Sequence, residues 1–181
     1  MHDRNLADAT VWIVGINPGA RSEAVDAPFA HPGNRFWPAL HIAGITPYLV
    51  HAKDGLSAAD EAMLAAAGLG FTNLVDRFTP RASDLTPDEI REGGQTLVRK
   101  VELYRPAGLM VAGIGAFRVA FGRPRATKGV QAPIGDTRVW VVGNPSGLNA
   151  HETVDSLATT YRAAYDLSLI HISEPTRQAE I

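Results

Sequence analysis

Thr10-Val-Trp-Ile-Val-Gly15, continued by Ile16-Asn17-Pro18-Gly19, is the stretch that decides the fold. Its first six residues are mostly apolar and β-branched and end at glycine, so they read as a buried strand. The next four leave that strand through an asparagine–proline turn. The same pattern recurs late in the chain. Arg138 to Gly143, with Val139-Trp-Val-Val142 at its heart, reads as a strand and runs into Asn144-Pro-Ser146-Gly147. Between these anchors, strands alternate with helices, which argues for a parallel sheet covered on both faces. Ligands of such sheets sit beyond the carboxyl ends of the strands. Two parallel, neighbouring strands would bring both loops to one site.

The elements between are read as follows. After a polar, Pro/Gly-rich connection from Asn17 to Asn34, Phe36 to Ala43 is predicted as a short helix. Ser57-Ala-Ala-Asp60 opens another with an N-cap pattern, and Gly68 stops it. Phe71 to Val75 is a short strand. Thr86-Pro87-Asp88-Glu89 is a helix start with a capping threonine, proline at N1 and glutamate at N3. Ile90, Leu97, Val98, Val101 and Tyr104 then share one helical face. Gly93-Gly94 weakens that helix by about 1 kcal/mol per glycine relative to alanine. Gly108 to Gly113 reads as a strand and Ala116 to Phe121 as a short helix. Asn149-Ala-His-Glu152 reads as a capping box for a last helix with Val154, Leu157, Tyr161 and Tyr165 inward. No internal repeat or low-complexity segment occurs.

Composition narrows the class. The 181 residues fit one domain, and a chain of this size buries roughly 70% of the surface its unfolded form exposes. There is no cysteine, which excludes disulfides, a thiol nucleophile, and zinc or iron–sulfur sites held by Cys. A formal charge of −2 gives no strongly basic field, although a local basic patch suffices for nucleic acid. No apolar run approaches roughly 18 residues, and Met1-His2-Asp3-Arg4 lacks a signal-peptide core. A soluble, cytoplasmic protein with no membrane partner is the expectation.

Several chemistries find no support. Gly15-Ile-Asn-Pro-Gly19 lacks the Gly-Lys-Ser/Thr ending of a phosphate loop and is not the dinucleotide fingerprint. No Gly-x-Ser-x-Gly elbow and no His-Glu-x-x-His is present. The six histidines are scattered without metal-ligand spacing. His31 and His151 read as turn or capping residues.

Four further segments join the first loop: Pro28-Phe-Ala-His-Pro-Gly-Asn-Arg-Phe-Trp37, Gly70-Phe-Thr-Asn-Leu-Val-Asp-Arg77, Glu92-Gly-Gly94 and Asn144-Pro-Ser-Gly-Leu148. In this order the chain resembles the mismatch-specific uracil-DNA glycosylases, the Mug and thymine-DNA glycosylase branch of the uracil-DNA glycosylase superfamily. Each motif alone is weak; the five together span nearly everything from Val11 to Asp166 and are specific. The resemblance implies one glycosylase domain over 1–166, an α/β fold built as a three-layer α/β/α sandwich around a central, mainly parallel sheet. It implies a monofunctional enzyme that hydrolyses the N-glycosidic bond of uracil mispaired with guanine in double-stranded DNA and leaves an abasic site. Ethenocytosine and thymine are further candidate bases. No metal or organic cofactor is implied, and the chain is expected to act as a monomer.

The resemblance also assigns roles. Asn17 matches the position that holds the attacking water. A neutral amide orients water and cannot take its proton, so departure of an anionic base must carry the reaction. That predicts a slow enzyme, tolerant of bases that leave readily. Phe29 matches the aromatic stacked on the extruded base. The backbone N–H groups of Ile16 and Phe29 are the implied donors to the pyrimidine, with Asn73 and Asn144 completing the pocket. Ser146, Gly147 and Leu148 match the loop that enters the duplex, with Leu148 as the wedge. Asn34 and Arg35 read as scaffold that pins the loop carrying Phe29, and Trp37 as core. Where a bacterial member carries arginine two positions past the leucine, this chain has Ala150, which weakens the case for reading the opposite guanine.

Arg118, Arg123, Arg125 and Lys128 form the one sustained basic stretch without acids. It reads either as a grip on DNA phosphates or as a solvated loop. Two other function classes compete with the glycosylase: a non-catalytic DNA mismatch- or damage-binding protein, and an unrelated nucleotide-binding α/β protein. Asn17 argues against the first; the wedge motif and the missing phosphate loop argue against the second. Finally, Leu167 to Arg177 resembles the in-frame translation of a sequencing adapter. Residues 167–181 are therefore expected to lie outside the fold, and their removal to leave it unchanged.

Overall fold

The computed structural model describes residues 1–173, with side chains described through residue 170. Five strands form one sheet in the order β2-β1-β3-β5-β4. They are β1 (Val11–Gly15), β2 (Leu69–Asn73), β3 (Gly108–Ala112), β4 (Gly129–Ile134) and β5 (Thr137–Val142). Helices α1 (Ala20–Val25), α2 (Phe36–Ile42) and α3 (Ala58–Ala66) connect β1 to β2. Helix α4 (Pro87–Tyr104) precedes β3, α5 (Ile114–Ala120) follows it, and α6 (Val154–Ser173) follows β5. β1, β2, β3 and β5 are mutually parallel where they pair; β4 runs antiparallel to β5.

β1 is buried at every position because its alternate side chains enter two cores. Val11 and Ile13 pack with Phe71, Met110, Leu40, Leu157 and Tyr161 on one face. Trp12 and Val14 pack with Leu97, Val101, Leu109, Val111 and Phe117 on the other. Helices α2, α3 and α6 cover the first face, α4 and α5 the second. This is the expected three-layer α/β/α sandwich with a mainly parallel sheet.

Most predicted elements are present with shifted ends. β2 begins at Leu69 and ends at Asn73, two residues earlier than its predicted limits. Ser57 and Thr86 both cap their helices through reciprocal capping boxes, and Pro87 stands in the first turn of α4. In α4, Leu97 and Val101 are buried, Ile90 and Val98 half-buried, and Tyr104 exposed. Gly93 and Gly94 weaken α4 locally but permit close approach. A Cβ at Gly93 would strike the Leu74 carbonyl oxygen, and one at Gly94 the Ala120 carbonyl oxygen.

Four readings are corrected. The connection from Asn17 to Asn34 contains α1, which six residues are too few to announce by periodicity. β4 was absent from the sequence reading because an edge strand needs little apolar alternation and tolerates a proline, here Pro133. The last helix is capped by Thr153, whose Oγ1 accepts from Ser156 N at 3.0 Å while Ser156 Oγ accepts from Thr153 N at 2.8 Å. Glu152 instead turns inward and meets Lys128. Lastly, α6 does not stop at Asp166. It continues through Ser173, with Leu167 half-buried and Ser168 buried against Gly108. Exclusion of the segment from the fold at residue 167 therefore does not hold for Leu167 and Ser168. Residues 174–181 lie outside the described part.

Candidate active site

β1 lies between β2 and β3: the chain leaves it for β2 on one side and then crosses to β3 on the other, so the strand order reverses at β1. A cleft of about 290 Å³ opens at its carboxyl end, where an open parallel sheet offers its ligand crevice. Gly15, Ile16 and Asn17 line it after β1, Asn73 at the end of β2, Ala112 at the end of β3, and Asn144 after β5. The two asparagine–proline loops do converge.

Asn17 is held firmly. Its Nδ2 donates to the Arg77 carbonyl at 3.0 Å and to the Thr79 hydroxyl at 2.7 Å. A backbone carbonyl only accepts, so the amide orientation is unambiguous. Thr79 is buried and its hydroxyl donates to the Arg81 carbonyl at 2.6 Å. Both Asn17 N–H bonds are thus spent, and Oδ1 is left as the acceptor the residue offers the cleft. Sequence reasoning missed Thr79, which lies 62 positions away. Arg77 is itself anchored to α4 by Glu89, with N–O distances of 2.6 and 3.1 Å.

Phe29 has φ of 52°, a left-handed conformation that a bulky residue adopts only under constraint. Trp37 supplies part of that constraint: it is buried, as expected, and its Nε1 donates to the Pro28 carbonyl at 3.0 Å. One face of Phe29 stacks on the buried Phe36 ring, centroids 4.2 Å apart and planes 23° apart. The residue also lines the cleft. Among the described residues, the Ile16 and Phe29 N–H groups are not used in the loop and turn hydrogen bonds. Asn73 sits beside Gly15 at the strand end, and its side-chain oxygen lies where a Cβ on Gly15 would be.

The second loop is rigid and self-satisfied. Asn144 Oδ1 accepts from Ser146 N at 3.0 Å, and Ser146 Oγ from Leu148 N at 3.3 Å. Asn149 Nδ2 donates to the Asn144 carbonyl at 2.9 Å. Arg35 grips the loop from outside, donating to the carbonyls of Ser146, Gly147 and Asn149 at 3.2, 3.3 and 2.7 Å. Asn34 caps the start of α2, its Oδ1 accepting from Phe36 N. Both are scaffold, but the side chain of Arg35 pins the loop after β5 and not the Phe29 loop expected from sequence. A Cβ at Gly147 would lie 2.5 Å from the Gly33 carbonyl oxygen, so these two loops touch. Leu148 stands at the tip, 96% exposed.

The four predicted basic residues behave differently from one another, and none lines the cleft. Arg118 Nε donates to the Ala126 carbonyl at 2.8 Å, closing its own loop. Lys128 pairs with Glu152 at 2.5 Å. Burial pushes the Glu152 carboxyl up, but hydrogen bonds from Lys128 and Ser156 outweigh it and leave the group below its ordinary value. Arg123 and Arg125 are exposed. No Asp or Glu lines the cleft among the described residues.

Sheet order and crevice define an α/β protein of the doubly wound class, with its ligand site at the switch point. The family model of the uracil DNA glycosylase superfamily matches residues 2–167, nearly the whole chain. The chain belongs to that superfamily, and its general activity is that of a DNA uracil glycosylase, a hydrolase of base excision repair acting on DNA.

Proposed function

We propose that the chain removes uracil mispaired with guanine from double-stranded DNA, as a monofunctional glycosylase of the Mug and thymine-DNA glycosylase type. The observation that carries this reading is the doubly anchored Asn17 amide in a cleft without a carboxylate. Oδ1 accepts a hydrogen bond from water and turns an oxygen lone pair toward the sugar C1′. Among the described residues no carboxylate lines the cleft to take the water proton, and His31, which does line it, has its Nδ1 engaged by the Gly33 N–H at 3.0 Å, so bond breaking leads. The C1′–N1 bond breaks, its electron pair stays on the base, and the water oxygen bonds to C1′. The proton released from that water goes to solvent or to the departing base.

Stabilisation of the anionic base then decides the rate. The free Ile16 and Phe29 N–H groups suit a pyrimidine oxygen, and the Asn73 amide offers both a donor and an acceptor to its edge. Phe29, backed by Phe36, gives the extruded base the apolar face that it loses on leaving the stack. Leu148, almost wholly exposed, fills the vacated space in the duplex.

Single-turnover base release tests this. Duplexes carrying uracil, thymine or ethenocytosine opposite guanine are incubated with excess enzyme and the abasic product is measured. Release of uracil is expected, with faster release for better leaving groups. Tight binding of the duplex without any abasic product would instead support a damage-binding protein.

A further inference from the structure

We propose that Arg81 holds a backbone phosphate of the strand whose nucleotide enters the cleft. The inference rests on the reading of the cleft as the base site. An extruded nucleotide keeps its two flanking phosphates at the rim of its pocket, and a phosphate there calls for a cation whose existing contacts are weak enough to exchange. Arg81 is the one Lys or Arg side chain among the described residues lining the cleft. Its side chain is 79% exposed. Among the described residues its ion-pair partner is Asp84 at 3.2 Å, three residues on, a surface contact that a bidentate guanidinium–phosphodiester interaction replaces.

Neighbouring cations are less available. Arg77 is clamped by both oxygens of Glu89, Arg35 by three carbonyls, and Lys128 by Glu152. The position of Arg81 is also set relative to the reacting bond. Its carbonyl accepts from Thr79, and Thr79 accepts from Asn17. Its N–H donates to Asp84 Oδ2 at 3.0 Å. Its carbonyl also accepts from Asp84 N at 3.0 Å, so three backbone bonds fix the stem and leave the guanidinium, bonded to Asp84, exposed. No Asp or Glu lines the cleft itself among the described residues, so Asp84 is the carboxylate that a phosphate at Arg81 has to displace.

The test measures affinity of the full chain for a uracil-containing duplex across a salt series, for the parent, Arg81→Gln and Arg81→Lys. Each phosphate contact contributes about 0.9 to the slope of log K against log salt. Arg81→Gln is expected to lower the slope by about that amount and to weaken binding, with the loss in Kd and not in release rate at saturating enzyme. Arg81→Lys is expected to restore most of the slope. A slope for Arg81→Gln equal to the parent's would overturn the inference. Base release by the parent is scored separately. A parent that binds DNA but releases no base fails the catalytic reading while the slope still judges Arg81. A parent with no salt-dependent DNA binding overturns both.

Discussion

The Asn17 amide nitrogen donates to the Thr79 hydroxyl at 2.7 Å, and this bond joins the loop after β1 to the loop after β2. It fixes which atom of Asn17 faces the cleft. Asn17→Ala should therefore reduce base release on the order of 100-fold, the scale expected when a reactant loses its positioning, with duplex binding nearly intact. Thr79→Val preserves shape and removes the hydroxyl; it should cost a smaller factor, about 10-fold, and roughly 1 kcal/mol of stability. Single-turnover rates and binding isotherms check both. Equal release by Asn17→Ala and the parent would remove Asn17 from the mechanism.

Leu148 makes a second prediction possible because it is almost wholly exposed. Leu148→Ala removes no core contact, so stability should change by no more than about 0.5 kcal/mol. Release from a fully paired duplex should fall about 10-fold, equivalent to ~1.4 kcal/mol. Release from single-stranded or poorly paired substrate should fall much less. The ratio of the two losses is the measurement. A uniform loss on all substrates points to damage in the fold rather than to a missing wedge.

A third prediction concerns acid. The hydrogen bond from Arg77, followed by that from the Thr86 backbone, holds the Glu89 carboxyl down from 4.5 to about 2. Its folded value is depressed, so its contribution to stability is complete above the unfolded value and is lost as pH falls toward the folded one. Glu89→Gln should flatten the dependence of Tm on pH between about pH 5 and pH 2, by a modest amount because solvent screens the pair. Parallel Tm profiles for variant and parent would exclude a role for this pair. The same variant loosens Arg77, whose carbonyl anchors Asn17, so base release at neutral pH should fall with it.

The C-terminal helix supplies a fourth. Truncation after Asp166 removes the buried Ser168 from Gly108 and the half-buried Leu167 from the groove beside Trp140. Tm should fall by about 2–4 °C for each ~1 kcal/mol lost at this chain length. Thermal unfolding of the truncated and full chains decides it, and identical midpoints would show that these residues contribute nothing, whatever their origin.

The sequence by itself determined four of the five strands, the helices other than α1, and the two loops. Strand burial is written in contiguous apolar residues such as Val11 to Val14, and helix starts in local caps such as Thr86-Pro87-Asp88-Glu89, so short windows suffice. The candidate roles of Asn17, Phe29 and Leu148 come from a resemblance carried by motifs of adjacent residues, so they too are proposed from short windows. Tertiary structure alone decided what holds them. The acceptors for Asn17 come from 60 and 62 positions away, and Arg35 reaches its loop across more than a hundred. The strained backbone of Phe29 is tolerated only because Phe36 and Trp37 pack around it. Charge availability also depended on the fold: Arg118 and Lys128 looked free in sequence but are engaged by Ala126 and Glu152, while Arg81, unremarkable in sequence, stands on the cleft. A side chain's hydrogen-bond partners are set by whatever the fold brings within about 3 Å, and no local pattern of residues encodes that distance.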